Sequence, residues 1–263
     1  MLVRLIIFLL LILLMSSSCT LKEEADLVFP ESPGRFFTES YLSAGEPVKL
    51  CLLRGSSFQK DLSLQLVWYA KAELLLPDTT ITLQNILFKD SESGKLVNYV
   101  STFLLPPLLP EDSLRLRIIS EDKADTLYAA TELVQPIEIT DWSLNDRQIM
   151  ISCANGTSMR NRFYGVYLEY EREGSIIRKS EFYDYSRTED SRLTFRLDIP
   201  SGDRSYRIIL YRITPANYRF QRAIQQASRS NVDPFEAPVV LPTNIRGGQG
   251  IFTYSTADTL LIR

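Results

Sequence analysis

Apolar residues at every second position limit what this chain can fold into. Leu114, Leu116 and Ile118 alternate with Ser113, Arg115 and Arg117. Leu193, Phe195, Leu197 and Ile199 alternate with Thr194, Arg196 and Asp198, and Val166, Leu168 and Tyr170 with Tyr167 and Glu169. Leu62, Leu64 and Leu66, and Tyr206, Ile208 and Leu210, keep the same period. Successive side chains point to opposite faces in a strand, so each run predicts a strand buried on one face and wetted on the other. That is the habit of antiparallel sheets. Turn-forming residues separate the runs: Asp90 to Gly94, Asn155-Gly156, Glu173-Gly174 and Pro200 to Asp203. Short strands at near-regular spacing predict a mostly β chain built as two β-sandwich, immunoglobulin-like domains.

One segment breaks the period. Thr214 is a suitable N-cap and Pro215 a suitable first helical residue, whose missing N–H costs nothing there. Ala216, Phe220, Ala223 and Ala227 then recur on one helical face with Ile224 alongside, while Arg219, Arg222, Gln226 and Arg229 lie on or beside the other. The spacing predicts one short helix packed on the second domain with a solvated basic back. The boundary between the domains is expected at Pro136, after Tyr128 to Gln135 and before a strand that runs from Ile137 through Trp142. The organisation expected is 31–136 for the first domain and 137–263 for the second, with no internal repeat.

The start of the chain is of another kind. Arg4 precedes an unbroken apolar run, Leu5 to Met15. That run is too short for a membrane-spanning helix, which needs about 20 apolar residues, and suits the h-region of a cleaved signal. Ser16-Ser17-Ser18-Cys19 follows and resembles a loosened lipobox of bacterial lipoproteins, in which the cysteine becomes the lipid-bearing first residue. Residues 1–18 are thus read as a signal peptide and 19–30 as a lipid anchor with an acidic tether. Lys22, Glu23, Glu24 and Asp26 in that tether resemble a surface-export signal; a plain solvated linker is the other reading.

Composition narrows the chemistry. The sequence holds no histidine, which excludes Ser-His-Asp and Cys-His catalysis and imidazole metal sites. Carboxylate pairs, Ser-Lys arrangements and all-oxygen calcium sites remain open; no cofactor and no metal ligand set is assigned. Loss of the leader removes one positive charge, Arg4, and takes the formal charge from −3 to −4. A mildly acidic chain without a basic stripe is poorly suited to nucleic acid. Cys51 and Cys153 each lie in an apolar, strand-like stretch, which favours two separate thiols, although an exported chain could bridge them.

Several ordered segments in the C-terminal third carry a resemblance. They are Leu210 to Pro215, Tyr218-Arg219-Phe220, Asp233 to Pro238, and Thr243 to Phe252 with its Arg246-Gly247-Gly248-Gln249-Gly250 core. Together they resemble the Bacteroidota lipoprotein family catalogued as domain of unknown function 4249, over essentially the mature chain. The resemblance implies an outer-membrane lipoprotein facing the cell exterior. The family has no established activity. Since no pair of carboxylates is singled out by spacing, the role expected is a non-enzymatic one, binding a ligand or partner, and the resemblance implies an accessory to a TonB-dependent transporter. A glycan hydrolase using two carboxylates and a structural or adhesive envelope protein are the alternatives. Cys19 is the expected lipid attachment site. Asp233, Phe235, Asn244, Arg246, Gly247 and Gly248 are the candidate partner-binding loop residues, their turn chemistry serving folding equally well. The spacing of the glycines is not that of a phosphate loop, and no helix pattern follows. Tyr183-Asp184-Tyr185 suits either a sugar- or peptide-binding face or a hairpin flank.

Overall fold

The computed structural model of the chain describes residues 34–55, 64–108, 112–145, 147–200, 205–230, 232 and 237–263. The strands of the first half are β1 (Phe36–Leu42), β2 (Pro47–Gly55), β3 (Leu64–Leu66), β4 (Lys71–Leu75), β5 (Thr80–Thr82), β6 (Gln84–Lys89), β7 (Leu96–Leu104), β8 (Leu114–Ile119) and β9 (Thr126–Thr131). Those of the second half are β10 (Ile139–Asn145), β11 (Gln148–Ala154), β12 (Phe163–Arg172), β13 (Ser175–Asp184), β14 (Arg192–Asp198), β15 (Tyr206–Ile213), β16 (Ile245–Arg246) and β17 (Gln249–Ile262). Among the described residues there is one α-helix, α1 (Pro215–Ser230), between β15 and β16, and a 3₁₀ turn spans Met159–Asn161. The fold is mostly β and sandwich-like.

Three sheets carry it. The largest runs β13-β12-β15-β17-β1-β2-β7-β6, with β3 paired beside β2. A five-stranded sheet runs β16-β9-β8-β4-β5 and a three-stranded one β10-β11-β14. β17 is the shared member. Its first part, Gln249 to Tyr254, runs parallel to β1, whereas Ser255 to Ile262 pairs antiparallel with β15.

The buried side chains form two cores. One takes Leu42 of β1, Leu50 and Leu52 of β2, Leu74 of β4, Leu116 of β8 and Leu127 of β9, together with Ile245, Phe252 and Tyr254 from the far end of the chain. The other takes Ile149 and Ile151 of β11, Val166 and Leu168 of β12, Phe195 of β14, Ile208 and Leu210 of β15, and Ile262. Val134 belongs to the first core and Ile137 to the second, on either side of Pro136.

Alternation is strict in β8 and β14, which bury Leu116 and Phe195 almost completely; β12 and β15 bury Leu168 and Ile208 as expected but also bury residues of the other parity, Gly165, Ile209 and Ile213 among them. Leu64 does not follow. β3 is only three residues long, and Leu64 is 68% exposed where β3 pairs beside β2, off the main strand order of the sheet; Leu62 lies outside the described residues. In β1 the inward positions carry Thr38 and Ser40, both fully buried, because their hydroxyls donate to the carbonyls of Cys51 (2.9 Å) and Lys49 (2.8 Å). Asn98 does comparable work: it accepts from Leu52 N–H and donates to the carbonyls of Leu52 and Val67. This pins the irregular segment ahead of β4, where Tyr69 takes a positive φ of 62°. The β12–β13 turn falls at Glu173 and Gly174, both with positive φ, as a tight primed turn demands.

The helix starts where its residues predict. Thr214 Oγ1 accepts from Asn217 N–H at 3.2 Å, the N-cap geometry. Phe220 is fully buried, Tyr218 packs on Phe163 of β12, and Gln225 donates to the carbonyl of Ser180 in β13. α1 therefore lies on the outer face of the large sheet, away from the second core.

Candidate functional site

The turn from Asn244 to Gly250 is built for closure against its own fold. The Asn244 side chain donates to the carbonyls of Phe252 (2.6 Å) and Ala130 (3.2 Å) and accepts from Phe252 N–H (3.0 Å), so both its amide protons and its oxygen are engaged. Ile245 is buried in the first core. Gly247 has φ of 86°, and a Cβ there would stand 2.8 Å from Thr126 O. At Gly248 a Cβ would meet Leu127 Cδ2 at 2.8 Å and Phe36 O at 3.1 Å. Arg246 is the outward member, exposed opposite Tyr128 at the margin of the five-stranded sheet. Asp233, Phe235 and Cys19 lie outside the described residues.

A second region draws on residues far apart in sequence. The outer face of the large sheet, beside α1, gathers Glu39 and Tyr41 of β1, Lys95 at the start of β7, Tyr167 of β12, Tyr211 of β15 and Gln221 of α1. Lys95 Nζ pairs with the Glu39 carboxylate, donates to Tyr41 Oη at 3.1 Å and lies 4.2 Å from the Tyr41 ring centroid. Gln221 donates to the same phenol from the helix at 3.3 Å. Tyr167 packs edge-on against Tyr211 (5.2 Å) and Phe182 (6.0 Å). Burial pushes the Tyr41 phenol well above its usual range, with the Glu39 charge adding to it. Tyr211 is pushed up to about 12 by burial, then by Tyr167 and the carboxylates of Glu46 and Glu92. All of these phenols stay protonated at neutral pH and act as hydrogen-bonding aromatic surface.

Salt bridges frame this face. Glu169 accepts from Arg178 (2.6 Å) and Arg207 (3.3 Å), and Arg207 lies 3.9 Å from Glu92 on the β6–β7 turn. Asp90, at the start of that turn, pairs with Lys49 at 2.7 Å and accepts from the hydroxyl and N–H of Ser93. Burial alone would raise the Asp90 carboxyl, but these hydrogen bonds outweigh it and hold the group down at about 2. Because the folded pKa is depressed, Asp90 stabilises the fold above the unfolded pKa of about 3.9, and that contribution is lost as pH falls through about 2. Asp90→Asn is expected to lower stability by about 2 kcal/mol at pH 7, with the difference from the parent chain vanishing near pH 2; urea melts at the two pH values measure it. Glu46 goes the other way. Burial raises its carboxyl, Lys49 opposes this, and the nearby Glu92 and Asp90 charges add to it.

The tyrosines of the β13 end, Tyr183 and Tyr185, stack at 6.0 Å and both abut Phe195 of the second core. They form a hairpin flank packed against that core. Cys51 and Cys153 are free thiols. Cys153 is buried and its thiol is pushed up to about 11 by burial, against the pull of the Arg212 guanidinium. Among the described residues no group of three or more Cys, Asp and Glu side chains is placed to hold a metal ion, and no helix is long and apolar enough to cross a membrane.

The alternation patterns gave no sign of the face around Tyr41, because its members come from strands some 170 residues apart. The available signal was β1 itself: in Phe37, Glu39 and Tyr41 the bulky and charged residues occupy one parity and Thr38 and Ser40 the other, the reverse of an ordinary half-buried strand.

No curated protein matches the sequence. Among solved structures, the chain is similar to the selenomethionine-substituted chicken interferon gamma receptor alpha chain, with 12% identity, coverage of 68% of this chain and 88% of that one, and a TM-score of 0.24. The pattern that defines the domain of unknown function DUF4249 matches residues 22–260, nearly the whole sequence. The chain belongs to the DUF4249 family.

Proposed function

We propose that this protein is a non-enzymatic lipoprotein, held in the outer membrane through lipid on Cys19, that presents its β-fold outside the cell to bind a protein or ligand as an accessory to a TonB-dependent transporter. The observation that carries the binding role is the state of the shielded carboxylates. Glu39, Glu73, Asp90 and Glu169 each accept from a lysine or arginine. At Glu73 and Asp90 these bonds push the carboxyl below its usual range, whereas a general acid needs one raised. A face of phenols, amides and neutralised ion pairs offers docking chemistry: aromatic area with polar tips, little of it lost to side-chain ordering. The anchor rests on Arg4, the apolar run to Met15 and the serines before Cys19.

Cys19→Ser is expected to abolish labelling by a fatty-acid analogue and to leave unprocessed precursor. Protease shaving of intact cells should degrade the parent protein. Surviving label in the variant removes the anchor; resistance to shaving until cells are permeabilised places the fold on the periplasmic side. Crosslinking in native membranes should capture a transporter; crosslinks to this chain alone favour a structural role.

The second reading, a carboxylate-dependent hydrolase acting on glycans, draws on one observation. Glu46 and Asp90 are neighbours pushed in opposite directions, the pattern of an acid beside a permanent carboxylate.

A further inference from the structure

The chain enters its fold at one end of the first core. There the Gly34 carbonyl accepts from Arg54 Nε at 3.4 Å, and the Arg35 carbonyl accepts from Gly55 N–H at 2.9 Å. On its other edge Gly55 pairs with Leu64 of β3. Leu64 therefore stands two strand spacings, about 10 Å, from the point of entry.

The surface beside that point is apolar. Directly opposed residues share a sheet face, so Phe37, Leu53 and Leu66 form a row across β1, β2 and β3, with Leu64 next to it. Val67 N–H donates to the Leu52 carbonyl, which carries the ladder one residue past β3 and gives Trp68 the parity of Leu64 and Leu66. This is the outer face, since the alternate residues Phe36 and Leu52 are the ones buried in the core. Phe37, Leu53 and Leu66 are half-buried, whereas Leu64 is 68% exposed, Trp68 40% and Tyr69 76%. The backbone under them is fixed: Asn98 and Tyr99 donate to the Val67 carbonyl, and Ala70 N–H donates to Tyr99 Oη. Arg35 and Arg54 are exposed at this end, and Asp122 of the β8–β9 turn is close enough to Arg54 to feel its charge. Attraction for a charged partner is therefore weak here, and the patch is aromatic and aliphatic. Tryptophan, tyrosine and leucine beside arginine are the residues that settle at the headgroup level of a bilayer.

A second uncovered apolar pair, Phe103 and Leu104, lies at the opposite end of β2, where Leu104 pairs with Pro47. The tether chooses between the two. Residues 19–33 reach at most about 50 Å when fully extended, and they lead to Gly34. Lipid on Cys19 thus brings the Leu64 end to the bilayer and makes its contact with lipid intramolecular.

We propose that the Leu64–Tyr69 edge is a membrane-resting surface, with Leu64, Trp68 and Tyr69 set among the headgroups of the bilayer that holds the lipid on Cys19. It rests on the reading of Cys19 as the anchor. One lipid signal gives reversible attachment; a second contact from the same chain steadies it and orients the fold.

The chain's two tryptophans, Trp68 and Trp142, test this, because their exposure is similar at 40% and 47%. Trp142 is remote from the patch: β10 begins where Ile139 N–H donates to Asp258, about 30 Å of strand beyond Gln249, the register partner of Phe37. The full-length lipidated protein is floated with phosphatidylcholine vesicles brominated on the acyl chains near the headgroup. In Trp142→Phe the remaining Trp68 emission should shift to the blue and be quenched relative to unbrominated vesicles. In Trp68→Phe the remaining Trp142 emission should not change. Adding Leu64→Asp and Tyr69→Asp to Trp142→Phe should abolish the quenching. Flotation should persist and the melting temperature stay within a few degrees, since both positions are exposed and aspartate tolerates the positive φ of 62° at Tyr69. Flotation reads the anchor by itself: a parent chain that does not float removes the lipid on Cys19 and the proposal with it. A chain that floats with Trp68 unquenched leaves the anchor standing and overturns the membrane surface; a blue-shifted but unquenched Trp68 would mean that a second copy covers it. Equal quenching of the two tryptophans, or quenching that survives the aspartates, overturns it as well.

Discussion

Gly250→Ala is expected to leave the chain without a stable fold, whereas Gly45→Ala should cost only about 1–2 kcal/mol. Both glycines have positive φ, 114° at Gly250 and 79° at Gly45, so both substitutions strain the backbone. Their surroundings differ. A Cβ on Gly45 meets nothing within 4 Å. On Gly250 it would stand 1.9 Å from the carbonyl oxygen of Thr38, 2.8 Å from its carbon and 3.0 Å from its nitrogen. All three are backbone atoms of a fully buried residue that is the register partner of Gly250 in the β1–β17 pair. Neither side can yield without parting the two strands, and β17 serves both cores. The expected loss exceeds the roughly 4–5 kcal/mol that marks exceptional single substitutions. Far-ultraviolet circular dichroism and urea melts of the two variants check it. A Gly250→Ala chain that melts within a few degrees of the parent would show that β17 does not hold β1 as closely as the register requires.

How far the fold could be read in advance depended on whether its cause was local. β8 and β14 were legible because each has one buried face, which imprints period two on its own residues; β12 and β15 were legible from the apolar parity facing the second core, although Gly165, Ile209 and Ile213 of the other parity are buried too. The start of α1 was legible because Thr214 and Pro215 fix it within one turn. The β1–β17 pairing was not, since nothing in Phe36 to Leu42 specifies a parallel partner more than 200 residues on, nor that Thr38 and Ser40 would be satisfied inward by the carbonyls of β2. Asn244 to Gly250 was legible as a tight turn, but the use of the Asn244 amide to close onto Phe252 was not, because side-chain-to-backbone clamps leave no pattern in sequence. The face around Tyr41 and Lys95 escaped for the first reason, being assembled by topology. Arg212, within the Leu210 to Pro215 segment that carries the family resemblance, escaped for the second.

Arg212 is where the largest effect of a side-chain loss is expected. The residue is 4% exposed, and among the described residues no carboxylate forms an ion pair with it. Its Nη1 donates to the carbonyls of Pro136 (2.7 Å) and Gln135 (3.4 Å), its Nη2 to that of Ala154 (2.8 Å), and its guanidinium lies 5.5 Å from the Tyr164 ring centroid. Nε has no partner. A buried cation is costly, and here carbonyl dipoles and a ring face, rather than a counter-charge, offset the cost. What those bonds hold is the connection through Pro136, between Val134 of one core and Ile137 of the other. Arg212→Leu keeps the volume but strands buried carbonyls at about 1–3 kcal/mol apiece, so stability is expected to fall by about 3 kcal/mol or more. Arg212→Lys retains the charge without the planar fork and should recover only part of the loss. Urea melts separate two outcomes. An unchanged m-value is expected, because β17 is still shared by both cores and unfolding stays cooperative. A lower m-value, or two transitions, would mean that the Arg212 clamp on the Pro136 connection, rather than β17, is what makes the two cores unfold as one.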